Sequence, residues 1–72
     1  MTLYRDHFIS FIGLQDDGAD FIVHKKGSKE ILAKVETVSK GIDYIDLILS
    51  QEPINFNDPK AQIVLSHIRR DS

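Results

Sequence analysis

The sequence predicts an α+β domain, a four-stranded antiparallel meander covered by a C-terminal helix, and three observations point to it. From Glu30 to Val38, the residues Ile31, Ala33, Val35 and Thr37 share one face while Lys34 and Glu36 point the other way, the period of a half-buried strand. Turn-forming clusters punctuate the chain at Gln15-Asp16-Asp17-Gly18, Lys25-Lys26-Gly27-Ser28-Lys29 and Ser39-Lys40-Gly41. Asn57-Asp58-Pro59 then sets a capping residue directly before a proline suited to a first helical position.

The elements follow in order. Residues 7–14 read as a strand apolar on both faces, with Phe8, Ser10, Ile12 and Leu14 opposite His7, Ile9 and Phe11. A helix is the competing reading there, with Tyr4, Phe8, Phe11 and Ile12 in one stripe, Thr2 as cap and Gly13 as terminator. Residues 20–26, built on Phe21, Ile22 and Val23, form the second strand, and 30–38 the third. Leu32 and Val38 depart from its alternation and mark a bulge, a strand end or a second apolar surface. The fourth strand falls at 42–49, where Ile45, Leu47 and Leu49 oppose Tyr44, Asp46 and Ile48. Such a sheet needs a covering layer, and 59–70 supplies one: Ala61, Val64, Leu65 and Ile68 lie on one helical stripe, with Arg69 and Arg70 complementing the C-terminus. A strand through Ile63, Leu65 and His67 is the alternative, and would turn the architecture into a small β-barrel.

Composition narrows the function. The 72 residues leave room for a single domain, 1–72, and 42% hydrophobic with 28% charged residues is the make-up of a folded chain. Without cysteine there is neither a disulfide framework nor a thiolate metal site. The apolar stretch Ile42 to Leu49 is too short to span a bilayer, so no membrane is expected. The N-terminus lacks a basic segment followed by an apolar run, so export is not expected and the cytoplasm is the expected location.

A net charge of −2 argues against nonspecific coating of nucleic acid, yet the charge is segregated. Residues 24–40 hold Lys25, Lys26, Lys29, Lys34 and Lys40 against Glu30 and Glu36, whereas 41–58 hold Asp43, Asp46, Glu52 and Asp58 and no cation.

Catalytic and metal signals are thin. His7, His24 and His67 fall in different elements without ligand spacing. Ser66 and His67 adjoin in sequence but point apart in either helix or strand, so they make no dyad. The four glycines sit at element ends, not at phosphate-cradling spacing, and the acidic clusters match no calcium loop. The expectation is no enzyme, no catalytic residue, no metal and no cofactor. The basic hairpin from His24 to Lys40 is the candidate working surface, with His24, Lys25, Lys26, Lys29, Lys34 and Glu36 as partner-binding residues.

Two resemblances bear on that surface. Residues 23–41, Val23-His24-Lys25-Lys26-Gly27-Ser28-Lys29-Glu30-Ile31-Leu32-Ala33-Lys34-Val35-Glu36-Thr37-Val38-Ser39-Lys40-Gly41, resemble the central hairpin of small phage-encoded anti-CRISPR proteins of the type I-F class, over under a third of the chain. That resemblance implies an antiparallel sheet packed on helices, and inhibition by occupying a CRISPR surveillance complex. It sets His24 where the family has a tyrosine and Glu36 where it has a glutamate. Phe8-Ile9-Ser10-Phe11-Ile12-Gly13, Gly27 and Ile45-Asp46-Leu47-Ile48-Leu49 are similar to Sm-like and SH3-like barrels, including Rho-binding antiterminators, which implies RNA or protein binding.

The sequence therefore predicts a non-catalytic protein-binding module, an inhibitor that occludes a surface of a larger nucleic-acid-processing complex. Its alternative is a small RNA-binding or transcription-regulating protein. The preferred partner is a larger protein or protein complex, with nucleic acid second and a homodimer as a further expectation.

Overall fold

A computed structural model describes residues 1–16 and 18–68. Its strands are β1 (Thr2–Tyr4), β2 (His7–Phe11), β3 (Phe21–Lys25) and β4 (Ala33–Val35), followed by helices α1 (Val38–Ser50) and α2 (Pro59–Ser66). The strands form one open antiparallel sheet in the order β1-β2-β3-β4. The α+β class, the four-stranded antiparallel meander and the C-terminal helix are as the sequence predicts; the barrel alternative, which needed a strand in the tail, is not the observed architecture.

The membership of the sheet differs from expectation. Residues 42–49 are not a strand but the body of α1. The missing strand is β1, joined to β2 by a two-residue turn in which Arg5 and Asp6 both adopt left-handed backbone, φ 47° and 63°. That conformation costs an L-residue roughly 1–2 kcal/mol and is usually left to Asn or Gly, so no standard turn signal announces it. Of the expected spans, 7–14 shortens to His7–Phe11, 20–26 to Phe21–Lys25 and 30–38 to Ala33–Val35.

Helix α1 starts where Thr37, in extended backbone, accepts the amide hydrogen of Lys40 on its hydroxyl at 3.2 Å. It ends as the Gln51 amide closes on the Leu47 carbonyl at 2.9 Å. Helix α2 begins with Asp58 accepting from the Lys60 amide at 3.1 Å and Pro59 in the first turn. It ends at Ser66, and Arg69 and Arg70 of the expected span lie outside the described residues.

The covering layer is α1, not the C-terminal helix: α2 packs on α1 and on no strand, burying Ala61. The core is formed by Ile9, Val23, Ala33 and Val35 from one sheet face and Ile45 from α1. The helix lies close because Gly41 faces Ile9, where an added Cβ would stand 2.9 Å from the Ile9 Cδ1 atom. A carboxylate fastens the N-terminal hairpin to the helix: Asp46 accepts from the Tyr4 hydroxyl and from Arg5 Nη1, each at 2.9 Å. That hydrogen bond, with burial and the carboxylate charge adding to it, pushes the Tyr4 phenol above its usual 10.0, while Arg5 opposes the shift. Among the described residues, no helix is long and apolar enough to cross a membrane.

Candidate docking face

Strand alternation divides the sheet's side chains into two sets. His7, Ile9, Val23, Ala33 and Val35 face α1 and are buried; none of the strand residues of the opposite parity is. Among the described residues no helix lies over that second face, because α1 packs on the first and α2 stays on α1. It is organised in two cross-strand rows, Leu3–Phe8–His24 over β1, β2 and β3, and Ser10–Ile22–Lys34 over β2, β3 and β4. Phe8, Ile22 and Lys34 are half-buried, and Leu3 is 55% exposed.

The polar members are held in place. His24 Nδ1 lies 3.2 Å from the Ser28 carbonyl oxygen, which only accepts, so Nδ1 bears the hydrogen. Its Nε2 lies 3.2 Å from Ser10 Oγ, which donates to it when the ring is neutral. The ring also rests against Phe8, with centroids 5.6 Å apart and planes tilted by 33°. The imidazole thus bridges β2, β3 and the following loop and packs on the Phe8 ring.

The six residues expected to bind a partner do not form one patch. His24 and Lys34 stand on the uncovered face. Lys25, of opposite parity, is the cross-strand partner of His7 on the helix side of the sheet, at its end. Lys26 and Lys29 are exposed in the loop between β3 and β4. Glu36, just beyond β4, pairs with Lys40 of α1 at 3.0 Å, which ties the end of the hairpin to the helix.

Leu3, Phe8 and Ile22, the apolar part of the face, were not among the expected site residues. Their signal was present in the alternation of Phe8 with His7 and Ile9, but only knowledge of which parity α1 covers turns it into a site. Among the described residues no group of three or more His, Asp or Glu stands in position to hold a metal. The chain matches no protein-family model, and neither a curated protein nor a solved structure is similar to it.

Proposed function

We infer that the chain is a non-catalytic protein-binding module, an inhibitor that docks the uncovered face of its sheet on a larger nucleic-acid-processing complex and occludes it. The observation that carries this reading is the set of Leu3, Phe8 and Ile22, drawn from the two cross-strand rows and left partly or largely accessible on a face they share with His24 and Lys34. Large apolar side chains beside fixed polar groups are the composition of an interface centre. Lys26 and Lys29 in the adjoining loop add positive charge that steers an acidic partner surface. The likeness of residues 23–41 to type I-F anti-CRISPR proteins supports the same reading and makes phage origin and cytoplasmic action part of it.

The test is capture of partners from a host lysate by the wild-type chain and by a Phe8→Asp, Ile22→Asp variant. A protein complex retained by the first and lost by the second supports the reading. Retention of no protein, together with tight binding of a defined RNA, overturns it.

One observation favours a second reading, binding of single-stranded RNA. The Phe8–His24 pair with Lys34 on an open face offers a stacking surface beside a cation. That reading requires affinity that falls steeply with salt, and a salt-independent or absent shift with RNA removes it.

A further inference from the structure

A separate concavity, a cleft of about 490 Å³, opens on the helix side at the end of the sheet, between the β1–β2 turn, the end of α1 and the linker after it. Its volume is that of small-ligand sites, roughly 300–1,000 Å³. Lining it is His7, 5% exposed and the buried polar residue of the described chain. Its Nδ1 lies 2.8 Å from the Arg5 carbonyl oxygen. A carbonyl only accepts, so Nδ1 keeps its hydrogen, and in the neutral ring Nε2 is a bare acceptor. Nε2 takes no hydrogen bond from a described residue and is not sealed from solvent. It is the ring nitrogen without a partner among the described residues, on a residue that lines the cleft.

The other lining groups carry both signs. Lys25, exposed and directly across the strands from His7, makes no ion pair among the described residues. Asp6 and Glu52 bring carboxylates, whereas Arg5 is already engaged by Asp46 at 2.9 Å. Ile48, Leu49, Pro53 and Ile54 supply an apolar wall. One lip is the turn that holds Arg5 and Asp6 in left-handed backbone, and strain of this kind gathers at ligand sites.

The geometry points to a small zwitterion with an aliphatic side chain, an α-amino acid of the leucine type, as the ligand of this cleft. Its ammonium donates to His7 Nε2 and to the carboxylates of Asp6 and Glu52, its carboxylate accepts from Lys25, and its side chain lies on the apolar wall. An α-amino acid carries opposite charges on one carbon, which matches a lysine placed directly opposite a hydrogen-bond acceptor. A simple fatty acid leaves the carboxylates and Nε2 without a donor, and a simple amine leaves Lys25 without an acceptor.

The experiment is an NMR titration of the nitrogen-15-labelled protein at fixed pH and ionic strength with L-leucine, 4-methylpentanoate, 3-methylbutylamine and glycine. Leucine is expected to shift the amide signals of His7, Lys25, Leu49 and Ile54 saturably and to move the His7 imidazole nitrogens. Each analogue, lacking one of the three recognised groups, binds at least about tenfold more weakly. Lys25→Ala and Glu52→Gln, both at exposed positions, each weaken leucine by roughly five- to tenfold with the remaining spectrum unchanged. An absence of saturable leucine shifts, an analogue that binds as well as leucine, or leucine binding indifferent to both substitutions overturns the assignment.

Discussion

The two faces of the sheet are both apolar and yet built differently. The face under α1 centres on Ile9, Val23, Ala33 and Val35, with Tyr4 and Phe21 packed against them, and meets a glycine on the helix. The uncovered face carries Leu3, Phe8 and Ile22 in rows shared with Ser10, His24 and Lys34. A contiguous apolar set opposite a glycine lets a helix settle close and exclude water. Apolar side chains interleaved with polar groups remain soluble when bare and offer area when met. Hydrophobicity alone does not separate the two; the polar residues interleaved on the bare face and the glycine opposite the covered one do.

The sharpest way to break that comparison is a matched pair of truncations. Ile9→Ala is expected to cost about 3 kcal/mol, a large share of the stability of so small a domain. Ile22→Ala, one strand over on the bare face, is expected to cost under about 1 kcal/mol. Urea unfolding of the two proteins measures both, and equal losses would mean that the faces are not differently covered.

Next in size is Gly41→Val, whose side chain collides with Ile9. Overpacking of this kind costs about 2–3 kcal/mol, against a gain in helix propensity of under about 1 kcal/mol. The same denaturation measurement checks it, and restoration by Ile9→Val in the double variant locates the strain at this contact. Removing the caps separates the helices: Thr37→Ala and Asp58→Ala are each expected to cost about 1 kcal/mol. Amide exchange should open α1 and the sheet together in the first variant and α2 alone in the second.

The smallest effect concerns pH. A phenol raised in the folded state gives stability that is fully present below its ordinary 10.0 and is lost as pH rises through the folded value. Tyr4→Phe should therefore be less stable than wild type at neutral pH, and the difference should close in the alkaline range. A difference that persists unchanged at high pH would remove the Asp46 hydrogen bond as its cause.

Some of this fold was legible and some was not. Asn57-Asp58-Pro59 marked the start of α2 because capping and proline chemistry act locally and do not depend on the rest of the chain. The run Ile42 to Leu49 was read as a strand although Ile42, Ile45 and Leu49 also fit a helical stripe, since a short apolar run satisfies both periods. Gly41 tipped the reading, because a glycine after Ser39 and Lys40 resembles a turn; here it serves a close approach to Ile9, a contact 32 positions away in sequence. β1 was missed because Arg5 and Asp6 are poor predictors of left-handed backbone. For the site, charge picked out His24 and Lys34 on the bare face but also Lys25, which parity sends to the other side. The cleft around His7 gave no sequence signal, since its walls come from a turn, a helix end and a linker that only the tertiary fold assembles.

The two outermost strands, β1 and β4, are three residues each. An edge that short offers an incoming strand too few backbone groups to lengthen the sheet. A partner that docks on the sheet, as proposed, would meet side chains more than main chain. The proposed recognition would then rest on the identities of a handful of side chains, and alanine substitutions across Leu3, Phe8, Ile22, His24 and Lys34 test it residue by residue.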